Sequence, residues 1–293
     1  MSALVDSRRR SILRGAGAIA ALGIAPVGRA FAAAPQSVGS APQIGLAYEP
    51  HSRSLLKADA TGAQAQVNGG WQALALGVRP GRGRVSAVSV AAGGKGIVYV
   101  AGPGLGVLRS EAGMRGFSPR NHGLASVDVI AMTAHAERPD TVYAYIAGRG
   151  IFRSEDGGLR WRLMDAGPRG GFVQFVHSNL PGSMQSGWLF AAGPNGVSRA
   201  MDCFCGWRDA GGLERAVNAV AYEPLQPANV HAATDSGLLS SSDGGETWTS
   251  AAAPPAATKA LAAGPASVLY AASADGDVFR RATAAAAWEP TGA

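Results

Sequence analysis

Cysteine, aromatic residues and charge are all scarce in this chain. Only two of its 293 residues are cysteine, 7% are aromatic and 16% are charged. No C-x-x-C-H haem attachment occurs. No apolar stretch approaches the ~20 residues of a membrane-spanning helix, and helix signals are nearly absent beyond the first thirty residues. The charges are scattered through a 47% hydrophobic chain, which excludes a disordered polyelectrolyte. Glycine alone is in excess: 41 residues, about twice the usual share of roughly 7%, as many tight turns require.

What is present is a repeat. Ser154-Glu155-Asp156-Gly157-Gly158-Leu159-Arg160-Trp161 and Ser241-Ser242-Asp243-Gly244-Gly245-Glu246-Thr247-Trp248 both read S-x-D-G-G-x-x-W. The closing aromatic recurs at Trp71, Phe117, Trp161, Trp207, Trp248 and Trp288, in steps of 46, 44, 46, 41 and 40 residues. Seven residues before the last five aromatics the register gives Ser110, Ser154, Ala200, Ser241 and Arg281, four of them behind a Gly-led apolar run. Upstream lie two further sets of short apolar runs. Ala87–Val90, Val129–Met132, Phe172–Phe175, Val217–Val220 and Leu261–Ala263 form one; Ile97–Val100, Val142–Tyr145, Trp188–Ala191, Val230–Ala233 and Val268–Ala271 form the other. Such runs bounded by Gly, Pro and Asn read as strands. Each unit is therefore strand a, strand b, a Gly-rich turn, strand c, the S-x-D-G-G turn, and strand d carrying the aromatic. The expectation is an all-β propeller of six four-stranded blades, with seven as an alternative should the loose first unit hide a split blade.

The leader dominates the charge. Arg8-Arg9-Arg10-Ser11-Ile12-Leu13, a weakly apolar stretch and Ala30-Phe31-Ala32 read as a signal peptide over residues 1–32, of twin-arginine type. This predicts an exported, periplasmic protein. Five of the 26 basic and one of the 20 acidic residues lie in the leader, so the rest holds 21 and 19, near neutrality. The overall basicity is thus no argument for nucleic acid. Residues 33–43 read as a linker or a ring-closing strand, and residues 44–293 as one domain. Cys203 and Cys205 occupy the fourth S-x-D-G-G turn; a local disulfide, two thiols filling the turn and a soft metal or redox site all fit that placement.

From about Ile44 onward the chain resembles the BNR or Asp-box repeat family of β-propellers, on the two complete motifs above. The resemblance implies that Ser154, Asp156, Gly158 and Trp161, and likewise Ser241, Asp243, Gly245 and Trp248, are structural turn residues rather than catalytic ones. Sialidases, sortilin-type receptors and photosystem II assembly factors share the repeat. A sialidase reading requires three arginines, a Tyr polarised by Glu, and an acid Asp. The early F/Y-R-I-P stretch is missing, with only Val78-Arg79-Pro80-Gly81 near it. Tyr48-Glu49 and Tyr222-Glu223 are adjacent in strands, which sends each pair to opposite faces. Asp235, Asp275 and Asp277 are the acids available for a paired-carboxylate site, and solvated turn aspartates explain them equally. The connections from strand d to the next strand a carry Arg79, Arg82, Arg84, Arg120, His122, Arg169, Arg215 and Lys259, a candidate basic rim for a partner, with Arg82, Arg120, His122, Arg169 and Arg215 as the binding set. The expected function is a non-catalytic exported propeller that binds a protein or envelope complex as an assembly or stability factor. It is expected to be a monomer, with no cofactor, no metal, no nucleic acid and no membrane span. The alternative is a BNR-type glycoside hydrolase.

Overall fold

The computed structural model describes residues 43–78, 81 and 83–291. The leader, the segment 33–42, Arg79 and Arg82 lie outside the described residues. Six four-stranded antiparallel sheets follow one another in chain order. Blade I is β1 (Gly45–Glu49), β2 (Ser54–Asp59), β3 (Gly62–Val67) and β4 (Gly70–Ala73). Blade II is β5 (Ala87–Val90), β6 (Val98–Gly102), β7 (Gly106–Glu111) and β8 (Arg115–Pro119). Blade III is β9 (Val129–Ala134), β10 (Val142–Ile146), β11 (Gly150–Ser154) and β12 (Arg162–Asp165). Blade IV is β13 (Gln174–Ser178), β14 (Trp188–Gly193), β15 (Gly196–Met201) and β16 (Arg208–Asp209). Blade V is β17 (Ala219–Glu223), β18 (Gln226–Thr234), β19 (Gly237–Ser241) and β20 (Thr249–Ala251). Blade VI is β21 (Thr258–Ala263), β22 (Leu269–Ser273), β23 (Val278–Arg281) and β24 (Trp288–Pro290). One 3-10 turn, Pro265–Ser267, is the only helical element among the described residues, and no described helix is long and apolar enough to cross a membrane.

The protein is a six-bladed β-propeller, not a seven-bladed one: the loose first unit forms one complete blade. Small register differences separate expectation from structure. Strand a of blades IV and V starts two residues later than the apolar runs Phe172–Phe175 and Val217–Val220. Trp161, Trp207 and Trp248 stand just before strand d rather than within it, because each closes the preceding turn.

The core lies between blades. Each apolar cluster joins two successive sheets: Tyr99 and Val107 of blade II pack with Val142 and Phe152 of blade III, and Tyr145 and Ile151 of blade III with Phe175 and Leu189 of blade IV. Ile44, Leu46 and Leu55 of blade I pack with Ala260, Ala262 and Val278 of blade VI, which closes the ring. Lys57 Nζ donating to the Gly276 carbonyl (3.3 Å) and Gln66 Nε2 donating to Thr291 Oγ1 (2.9 Å) add polar links across that seam. At about 1.5–3 kcal/mol per fully buried aliphatic or aromatic side chain, the sides of the blades hold the ring together and its axis is left open.

Candidate functional site

The six innermost strands enclose a channel of about 580 Å³ along the axis. Small residues on those strands (Ala47, Ala87, Ala131, Ala221, Ala260) leave the space unfilled, and Leu46, Val88, Met132, Phe175 and Leu261 make it apolar. Among the described residues no Asp, Glu or Arg lines it. Its one lysine, Lys259, is neutralised by Asp235: Nζ lies 2.5 Å from Oδ1, and Asn218 Nδ2 donates to the same oxygen at 2.9 Å. The hydrogen bond from Lys259, with that from Asn218, holds the Asp235 carboxyl below its ordinary range.

Tyr48 and Tyr222 both line the channel while the glutamates that follow them do not. Glu49 is fully buried and accepts the N–H groups of His51 (2.9 Å) and Ser52 (2.6 Å), closing its own a–b turn. Glu223 accepts from His231 Nε2 (2.9 Å) and from Ser267 Oγ (2.5 Å); these bonds, His231 foremost, lower its pKa to about 2 against the opposing effect of burial. Burial raises both tyrosine pKa values, and the neighbouring Tyr270 adds to the rise at Tyr48. Neither pair forms a dyad with its phenol polarised by a carboxylate. Asp275 and Asp277 are exposed turn residues outside the channel.

The two complete boxes are built alike. Ser154 Oγ accepts the Gly158 N–H (2.8 Å) and donates to Asp156 Oδ1 (2.8 Å), which also accepts the Arg160 N–H (2.9 Å). Ser241, Asp243, Gly245 and Thr247 repeat the pattern. Gly158 and Gly245 have φ of +88° and +84°, where a side chain is strained. The indole Nε1 of Trp161 donates to the Arg120 carbonyl at 2.8 Å, and that of Trp248 to the Ala210 carbonyl at 2.9 Å. Trp288 does the same to Ala252 (2.8 Å), and Trp207 to the Asp165 carboxylate (2.7 Å). The boxes are therefore inter-blade staples.

The cations of the d–a connections divide into two kinds. Arg84, His122, Arg169 and Arg215 are exposed and outside the channel wall. Arg120 is half-buried at the seam of blades II and III. A Cβ on Gly158 would meet its Cβ at 2.9 Å, and its Nε is buried with no partner among the described residues.

Sequence reasoning missed one cluster. His135, at the end of strand a in blade III, and His177, in β13 one repeat later, stack at 3.8 Å beside Asp202 of the degenerate fourth box. His135 Nδ1 accepts the N–H groups of Glu137 and Arg138 (both 3.0 Å), and His177 Nδ1 accepts that of Ala136 (3.1 Å). Both rings must therefore carry their proton on Nε2. His135 Nε2 donates to Ser186 Oγ (2.8 Å) and His177 Nε2 to Asp202 Oδ2 (3.5 Å), while Ser186 Oγ donates to the same carboxylate. Burial, then the neighbouring His177, lowers the His135 pKa to about 3. Burial works against the Asp202 carboxylate, but the bonds from His177 and Ser186 outweigh it and hold its pKa well below the usual range. One ligand atom from each of the three residues lies within 4.8 Å of the others. The lone pairs a cation needs on Nε2 are occupied by protons, so the arrangement is a closed hydrogen-bond network. The two histidines hold different repeat positions, His135 just after strand a of blade III and His177 within strand a of blade IV, so the repeat gave no signal for the pair.

No protein-family profile matches the chain, and no curated protein sequence does. Solved structures do. The chain is similar to an ancestral GH74 enzyme, with a TM-score of 0.52 and 19% identity over 76% of this chain and 32% of that one. It is also similar to YCF48 bound to D1 peptide, with a TM-score of 0.51 and 12% identity over 72% of this chain and 69% of that one. This chain thus spans about a third of the GH74 enzyme's length. Likeness at these identities shows the β-propeller fold.

Proposed function

We propose that this chain is a non-catalytic exported propeller that binds another polypeptide and serves as an interaction or assembly factor for an envelope complex. One observation carries the reading: among the described residues the channel offers a largely apolar wall, two unpolarised tyrosines and the closed His135–His177 pair, with no carboxylate or arginine. Hydrolysis of a glycoside needs two acids across a cleft or a nucleophile with its base, and each candidate acid here is either bonded to a neighbour (Asp235, Glu49, Glu223) or exposed outside the channel (Asp275, Asp277). A polypeptide segment with small apolar side chains matches such a wall. The similar YCF48 structure holds a peptide, which agrees with the reading, as does the twin-arginine leader with export of a folded ring. Arg169 and Arg215, exposed and without ion pairs among the described residues, supply the cationic contacts. Arg120 is better left intact, since its stem packs on Gly158.

The test is affinity capture from a detergent-solubilised envelope fraction, with Arg169→Glu/Arg215→Glu as the paired control. A defined protein retained by the wild type and lost by the variant supports the reading. Equal retention by both removes the cationic contacts from it, and no retention by either contradicts it.

A further inference from the structure

Cys203 and Cys205 form a disulfide that spans a single intervening residue. That residue, Phe204, has φ +56°, in the left-handed region that bulky side chains avoid. Cys203 and Phe204 stand where the complete boxes carry their glycine pairs (Gly157-Gly158 and Gly244-Gly245), and Cys205 stands at the next position, so the bridge ties covalently across a turn that the other boxes make with glycine. The turn is held on both sides. Asp202 is anchored by Ser183, Ser186 and His177, the Phe204 N–H donates to the Met201 carbonyl at 2.9 Å, and the Phe204 ring lies 6.1 Å from that of Tyr143. The platform therefore survives opening of the bridge. Cys205 is exposed and Cys203 only half so. The loop residue Met184, 68% exposed, is tied to the strand leading into this turn by its N–H against Met201 Sδ (3.4 Å).

A cross-link over so short a loop removes little unfolded-chain freedom, so it contributes little to stability. Exposed bridges on unfavourable backbone are the readily exchanged ones. We propose that Cys203–Cys205 is a thiol–disulfide exchange site, acting on a cysteine-bearing polypeptide segment that rests its apolar side chains on Met184.

The chemistry balances without a cofactor. A substrate thiolate attacks the exposed Cys205 Sγ; the S–S bond breaks, and its electron pair leaves on Cys203 Sγ, which takes a proton from water. A second substrate thiolate then attacks the substrate sulfur of the mixed disulfide, and Cys205 leaves as thiolate. The substrate dithiol loses two electrons and becomes a disulfide, while Cys203 and Cys205 become thiols. A second disulfide, glutathione disulfide in the test, restores the bridge by the reverse exchange.

In the test, the oxidised full chain is equilibrated over a series of glutathione ratios, quenched with a mass-adding maleimide and resolved by gel shift. It is then mixed with a reduced two-cysteine peptide carrying leucines around its thiols. The bridge is expected to open and close reversibly within the series and to pass one disulfide per chain to the peptide. Cys203→Ser, which keeps Cys205, should form a mixed disulfide with glutathione about tenfold faster than Cys205→Ser, since access decides which sulfur reacts. A bridge that stays closed throughout the series, or equal rates in the two variants, overturns the proposal. Melting curves check that both variants are folded. Should one not be, differential maleimide labelling of the two thiols in briefly reduced wild type reads the same asymmetry.

Discussion

The Trp161 indole donates to the main-chain carbonyl of Arg120, 41 residues earlier in the chain and one blade away. This bond shows what the repeated tryptophan does: it fastens its box to the connection leaving the blade before it, and the same contact recurs at Trp248 and Trp288.

Trp161→Phe keeps most of the apolar area and removes the donor, leaving the Arg120 carbonyl unpaired in a buried seam. A loss of about 1–3 kcal/mol is expected, read as a lower midpoint in urea unfolding with an unchanged slope. Phe117 already lacks that donor at its own position, so Phe117→Leu should lower the midpoint through packing alone.

Gly158→Ala introduces a methyl group at φ +88° that would meet Arg120 Cβ at 2.9 Å. Gly148, at φ +69°, has nothing within 4 Å of the same built atom. Both substitutions incur the left-handed penalty of about 1 kcal/mol, and only Gly158→Ala adds a clash. Its melting temperature should fall clearly further than that of Gly148→Ala.

Acid should loosen the seam of blades III and IV. The folded His135 pKa lies at about 3, below the ordinary value near 6.5. Between those two pH values the unfolded chain binds a proton that the folded chain refuses. This contribution is therefore complete above about pH 6.5 and declines as pH falls toward 3, by at most about 1.4 kcal/mol per pH unit. Of the groups facing the ring only Asp202 favours its protonated form, and burial together with His177, Arg138 and Arg153 outweighs it. Asp202 adds loss of the same sign below about pH 4, where unfolded carboxylates gain protons. Thermal melts from pH 7 to 4 should fall steeply for the wild type and more gently for His135→Gln.

The blade register was readable in the residues because a propeller repeats its local chemistry. Glycine pairs, a serine and aspartate two residues apart and a tryptophan recur at near-constant spacing, and each acts within its own turn. The His135–His177–Asp202 network was not readable, since its members come from two blades and Asp202 stands at the aspartate position of the degenerate fourth box. The basic rim was legible only as composition. Spacing located Arg120 on a connection but not the Gly158 backbone it leans on, which separates it physically from Arg169 and Arg215. The opposite orientations of Tyr48 and Glu49, and of Tyr222 and Glu223, followed from strand alternation alone, and the structure added where each glutamate is spent.

The central claim is that this propeller binds and does not cut. Its most direct test is reducing-end release by the full chain from a panel of neutral oligosaccharides, with a fluorogenic sialoside in parallel. The account predicts no release above buffer at any pH from 4 to 8, because among the described residues no pair of acids faces the channel. Turnover abolished by Asp235→Asn or Tyr222→Phe would contradict it.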